Sequence, residues 1–184
     1  MSDLSGYVSS LTVEDGTGKT DSDSYISVDN ADIYVQDHYG GASTWLDLTE
    51  DQKEMYLRRA AQYIDSYYRK KWKGLKATST QAMEWPRSGV CDASGYEVSS
   101  AAVPVAVQEA QVEAAILLQS GYSLQPVITG GESNIKRKKV GPIEVEYASA
   151  SEMATTSPGV RTEYTQIKEL LYGLIESGGR IILG

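Results

Sequence analysis

The stretch PVAVQEAQVEAAILLQSG, residues 104–121, decides the fold. Pro104 suits the first turn of a helix, and Gly121 suits the position just past its end. Between them, apolar side chains cover most of the helix surface instead of one narrow stripe. A helix with so much apolar surface needs neighbours on several sides. We therefore expect it at the centre of a mainly α protein.

Three further helices are predicted around it. Ser27 is a good N-cap for a helix that ends at Gly40. Thr49 and Gln52 have the spacing of a capping box, and apolar residues follow them at helical period. A last helix carries its apolar residues on one face over 164–175. Together these patterns predict a small helical bundle of about four helices.

The remaining segments lack helical period. Residues 1–24 are rich in Gly, Ser, Asp and Thr, which predicts an extended N-terminal arm, and residues 73–102 predict a loop on the surface or at an interface. Apolar residues alternate with acids near the end of segment 133–148, which predicts an inserted β-hairpin. The helical domain then spans 25–177, and the C-terminal tail spans 178–184.

Composition excludes several function classes. The 184 residues include one Cys and one His, too few for an intrachain disulfide or a His-pair zinc site. Neither residue lies in a recognisable nucleophile motif, so we expect no enzyme, no cofactor and no dedicated metal. No run approaches the roughly 20 apolar residues of a membrane span. The chain is predicted to be made in a cytoplasm, without a membrane partner.

One short motif suggests phosphate binding and then fails. Gly18, Lys19 and Thr20 resemble the end of a phosphate-binding loop. The first glycine of such a loop would fall at Val13, however, and no helical pattern follows Thr20. We therefore assign no nucleotide to this segment.

Charge is sorted along the chain. The net charge is −8, and residues 1–50 contain ten acids and a single base. An acidic chain as a whole repels nucleic acid. Nine of the 17 bases nevertheless lie in two short runs, at 69–76 and 136–139. The chain also has 13 Tyr, 3 Trp and no Phe, a choice that suits half-buried surfaces and interfaces.

Each basic run has two interpretations. The first is a candidate strip for single-stranded nucleic acid, because cations bind phosphates and aromatic faces stack on bases. Its residues are Arg69, Lys70, Lys71, Trp72 and Lys73. The alternative is a helix end, where cations complement the helix dipole while the rings pack inward. The second run is equally explained by charge pairing across the predicted hairpin.

Several segments, taken in order, resemble one family of tailed-bacteriophage proteins. The matching pieces are Thr12 to Gly18, Ser24 to Val28, Ala31 to Tyr34, Trp45, Leu57 to Ala61, Tyr63 to Asp65, Gln81, Trp85 to Arg87, Val103 to Pro104 and Lys139 to Tyr147. The chain resembles the head-to-tail connector, or head-completion adaptor, family, a group also labelled DnaT-like single-stranded DNA-binding proteins. One departure is the sequence after the first helix, which is Tyr39-Gly40-Gly41 where the family usually has Tyr-x-x-x-Arg-Gly.

The resemblance implies a structural virion protein at the neck of the phage, assembled in the host cytoplasm. Its partners would be the portal protein, neighbouring copies in a ring of twelve, and a tail or neck completion protein, with DNA only as cargo in the channel. The expected portal contacts are Leu174, Ile175, Arg180, Ile181, Ile182 and Leu183. The expected hairpin contacts are Lys139, Val140, Gly141, Pro142 and Ile143.

A second hypothesis comes from a different class. The chain could instead be a replication accessory that binds single-stranded DNA through its two basic runs. Salt separates the two hypotheses, because phosphate contacts release counterions and their affinity falls steeply as salt rises. Substitution of Lys70 or Trp72 by Ala would weaken such a binder, whereas an adaptor would be insensitive to either change.

Overall fold

The computed structural model describes residues 10–124 and 164–176 of the chain. Four helices and two short strands lie within them. In chain order they are α1 Val28–Tyr39, α2 Glu50–Tyr68, β1 Leu75–Lys76, β2 Arg87–Ser88, α3 Val105–Gln119 and α4 Thr165–Leu170. The strands pair antiparallel, with Leu75 opposite Ser88. The prediction of a mainly α protein with about four helices is confirmed, and the small antiparallel strand pair lies within the segment predicted as a loop.

The helices begin where their capping residues predict. The Ser27 side chain accepts a hydrogen bond from the Asn30 N–H at the start of α1. At the start of α2, the Thr49 and Gln52 side chains each bond the other's backbone N–H, which completes the capping box. No helix in the described ranges is long and apolar enough to cross a membrane.

Helix α3 lies at the centre, as its apolar surface predicts. It packs against α2 most extensively, and also against α4 and α1. Its buried residues are Val107, Ala110, Gln111, Val112, Glu113, Ala114, Ala115 and Leu118. The two polar residues among them are both hydrogen-bonded, as burial requires. Gln111 joins α3 to α2 by donating to the Leu57 carbonyl, 2.9 Å away, while Glu113 accepts from Tyr34 and Tyr39 of α1.

The segment over 73–102 lacks helix, as predicted, but its placement on the surface is wrong for its central part. Trp85 and Val90 are fully buried. The reason is local: the β1–β2 pair folds the segment back onto the bundle. Gly74, directly before β1, permits the close approach to Ser88, because its φ is +64° and a Cβ there would lie 2.2 Å from the Ser88 carbonyl oxygen. The predicted hairpin over 133–148 lies outside the described residues.

Residues 10–24, the described part of the predicted arm, fold back on themselves. Val13 and Ser24 form a parallel bridge. The buried Glu14 carboxylate accepts hydrogen bonds from the backbone N–H groups of Gly16, Gly18 and Lys19, at 2.8 to 3.0 Å, and from the Ser22 hydroxyl. The chain therefore winds around its own carboxylate at the place where a phosphate-binding loop would hold a phosphate.

Tyr25 connects four parts of the molecule. Its hydroxyl donates to the Asp65 carboxylate of α2 and accepts from the backbone N–H groups of Glu84 and Trp85, at 3.1 and 3.2 Å. Its own backbone N–H donates to the Gln111 side chain of α3, at 2.8 Å. The ring itself is almost fully buried. The Tyr25 hydroxyl group thus links the segment before α1 to α2 and to the loop after β1, and the Tyr25 backbone N–H links it to α3.

Substituting Tyr25 by Phe tests this role. The change keeps the ring but removes one donated and two accepted hydrogen bonds, leaving buried polar groups unpaired. We expect the free energy of unfolding to fall by about 3 kcal/mol, measured by urea unfolding. Tyr96→Phe is the matched control, because Tyr96 is 75% exposed and should change stability by less than about 0.5 kcal/mol. Equal stability of both variants would contradict the assignment.

Asp65 makes stability depend on pH. Desolvation raises the pKa of its carboxyl group from 3.8 to about 6, partly offset by the hydrogen bonds from Tyr25 and the Glu84 N–H. Because the pKa is higher in the folded state than in the unfolded state, protonation of Asp65 stabilises the fold. This stabilisation is fully present below the unfolded-state pKa and is lost as pH rises through 6. The unfolding free energy of the wild type, relative to Asp65→Asn, should therefore increase by about 1.4 kcal/mol between pH 7 and pH 5. Parallel pH profiles from chemical unfolding would refute this.

Candidate nucleic-acid interface

The first basic run begins where α2 ends. Residues 69–76 contain five bases and no acid, and Arg69 is the C-cap of α2. Trp72, predicted as a stacking ring, is only 5% exposed. It packs edge-on against Trp85, with ring centroids 5.7 Å apart. Trp72 is therefore a core residue and offers no face to a base, so that part of the predicted strip is wrong.

Three cations of this region share one buried carboxylate. Glu84 receives Arg69 at 3.2 Å, Lys76 at 3.6 Å and Arg87 at 3.1 Å. Arg87 is buried and also bonds the Gly74 carbonyl, whereas the Arg69 side chain is 66% exposed. Glu84 thus pairs with three cations, and a second carboxylate, Asp65, lies close enough to Glu84 and Lys76 to interact with their charges. Arg69 is the most exposed of the three cations.

The other cations of the run make contacts of different kinds. Lys71 lies over the Tyr67 ring, 4.2 Å from its centroid. Lys73 donates to the backbone carbonyls of Gly173, at 2.6 Å, and Cys91, at 3.3 Å. Lys70 is exposed and has no ion pair or hydrogen bond with any residue of 10–124 or 164–176. Lys70 and Lys73 therefore have no carboxylate partner among the described residues.

Three cations elsewhere in the described ranges are matched to acids. Lys19 pairs with Asp15 at 3.0 Å, and Lys53 pairs with Asp32 at 2.7 Å. Arg58 pairs with both Asp23, at 2.6 Å, and Glu54, at 3.1 Å. These pairs leave little net charge. The run at the end of α2 thus has five bases and no acid of its own, and an acid beside it is Glu176, whose backbone N–H donates to the Lys71 carbonyl at 2.7 Å.

Two exposed tyrosines border this end of α2, and sequence reasoning did not single them out. Tyr96 and Tyr172 are 75% and 74% exposed. The segments that carry them meet at Lys73, whose ammonium group bonds a carbonyl of each. Gly173 permits the close approach, since a Cβ there would lie 2.7 Å from the backbone nitrogen of Ala93. The only sequence signal was the general excess of Tyr over Phe.

Two of the predicted portal contacts are buried, and the others lie outside the described ranges. Leu174 and Ile175 are buried in the core, and Ile175 bridges to the backbone of Trp72. They stabilise the chain itself and have little surface left for a partner. Residues 180–183 and 139–143 lie outside the described ranges, as does the second basic run. Within the described ranges, no group of three or more His, Cys, Asp or Glu could hold a metal ion.

One comparison with known proteins identifies a protein family. A family model described as "Putative DnaT-like ssDNA binding protein" matches residues 9–183. No curated protein and no solved structure matches the chain. The family match covers nearly the whole sequence, including every element of the described fold.

This match corrects the sequence analysis. The adaptor function and the virion role rest on a resemblance to head-to-tail connectors. The family model that matches is described by single-stranded DNA binding and not as a head-to-tail connector, so the connector assignment, the adaptor function and the virion role are wrong, and the alternative hypothesis of single-stranded DNA binding agrees better with the match. The chain belongs to the DnaT-like single-stranded DNA-binding protein family.

Proposed function

We propose that this protein binds single-stranded DNA through the basic end of α2, which we define as Arg69, Lys70, Lys71, Lys73 and the exposed rings of Tyr96 and Tyr172. The family match supports the ligand class. The observation that carries the location is the sharing of one carboxylate, Glu84, by three cations.

The cations supply affinity for the phosphate backbone. Each phosphate that they neutralise releases a condensed counterion, and this release makes binding tighter at low salt. Lys70 and Arg69 are the most accessible of the set. Since the chain as a whole is acidic, a strand is repelled from most of the surface and attracted to this end.

The exposed rings favour a single strand over a duplex. A base can stack on an aromatic face only when it is not already stacked within a duplex, so Tyr96 and Tyr172 would contact unpaired bases. Such stacking does not depend on base identity, because every base has a π face. We therefore expect binding with little sequence preference.

Variants of the exposed residues test the location. Lys70→Ala should weaken binding to oligothymidine and reduce the slope of log K against log salt by about 0.7. Tyr96→Ala and Tyr172→Ala should each weaken binding by about 1 to 3 kcal/mol, which is about 5- to 160-fold in Kd. Fluorescence anisotropy of a labelled oligonucleotide at several salt concentrations measures both effects.

The matched control is Tyr122→Ala. Tyr122 is also exposed, but it lies beside Tyr164 just before α4, whereas Tyr172 follows α4. Its substitution should leave Kd unchanged. Trp72 is unsuitable for this test because its removal would damage the core. Equal effects of Tyr122→Ala and Tyr172→Ala, or a Kd that does not respond to salt, would contradict the proposal.

A further inference from the structure

The basic end of α2 continues along the exposed face of the same helix. Arg59, Gln62, Ser66 and Arg69 are spaced three, four and three residues apart, so they lie on one face. Arg59 and Arg69 are separated by about 15 Å along the axis. No exposed position of α2 between Gln52 and Arg69 carries a carboxylate. A strand bound at Arg69 would therefore meet no exposed carboxylate of α2 before Arg59.

A groove opens at Arg59. It has a volume of about 300 Å³, with Arg59 and Gln62 of α2 among its lining residues and Ala82 and Met83 from the loop after β1 among the others. The Arg59 side chain is exposed and has no ion pair or hydrogen bond with any residue of the described ranges. Its guanidinium group presents donors in a planar fork that matches the oxygens of a phosphate.

Two acids in the groove are already occupied. The Asp23 carboxylate accepts from Arg58, at 2.6 Å, and from the backbone N–H of Thr12, at 2.8 Å. The Asp65 carboxylate accepts from Tyr25 and from the backbone N–H of Glu84. These bonds direct both carboxylates toward protein donors. Of the two arginines that line the groove, Arg58 is paired with Asp23, and Arg59 has no acid partner among the described residues. Asp65 is held by neutral donors and is negatively charged above about pH 6.

We propose that a single strand bound at the basic end of α2 runs along this face, and that one of its nucleotides occupies the groove with its phosphate on Arg59. This inference rests on the proposed function and extends its site by about three turns of α2. It predicts two separate contact zones on one strand, which only a sufficiently long strand can fill together.

Oligonucleotide length tests the extension. Wild-type protein should bind a twelve-nucleotide oligothymidine more tightly than a trinucleotide, which covers only the basic end. Arg59→Ala should weaken binding of the long strand about 3- to 10-fold and reduce its salt slope by about 0.7, with no effect on the trinucleotide. Ala82→Leu should produce a similar length-dependent loss by filling the groove without changing charge, since Ala82 is exposed.

The outcomes separate this inference from the function on which it rests. Loss of binding in Lys70→Ala, with Arg59→Ala and Ala82→Leu both unchanged on the long strand, would overturn the groove and leave the proposed function intact. Equal losses of Arg59→Ala on long and short strands would also overturn it. No salt-dependent binding of either strand to the wild type would overturn the proposed function and the groove together. Unfolding midpoints of the variants establish that each is folded.

Discussion

The fold depends on the hydroxyl group of Tyr25. A bundle of this size buries its apolar surface around α3, and the segments before α1 and after β1 add Tyr25, Ile26, Met83 and Trp85 to that core. Tyr25 holds both against α2, through Asp65 and through the backbone N–H groups of Glu84 and Trp85. Because Glu84 is fixed in this way, the carboxylate that gathers Arg69, Lys76 and Arg87 also has a fixed position.

The packing of the core therefore determines where these charged groups lie. Glu84 is buried beside Trp85 and cannot move out to match each cation singly, so Arg69, Lys76 and Arg87 crowd around it. Three cations around one carboxylate would be costly in a fully buried site, but the Arg69 side chain projects into water and its charge stays solvated. The result is an accessible positive region on a chain of net charge −8. Such a contrast directs an anionic strand to one region of the surface.

Local signals predicted the helices because capping and periodicity act within a few residues. Ser27, Thr49 and Pro104 each mark a helix start that the structure confirms. The site was harder to predict because it depends on contacts between distant segments. The sequence around Trp72 resembles a stacking strip, yet burial against Trp85 removes that ring. Tyr96 and Tyr172 lie 76 positions apart, and only their shared neighbour Lys73 shows that they border one region.

The Glu14 loop has a consequence for selectivity. Backbone N–H groups that converge on one point form a concavity that attracts anions, and such a feature would compete with the basic end of α2 for phosphate. Here the concavity is filled from within: Gly16, Gly18 and Lys19 already donate to Glu14. A phosphate would have to displace a buried carboxylate to enter. The anion-binding position of this loop is therefore already filled by the carboxylate of Glu14. The position of a bound strand then depends on the side chains at the end of α2.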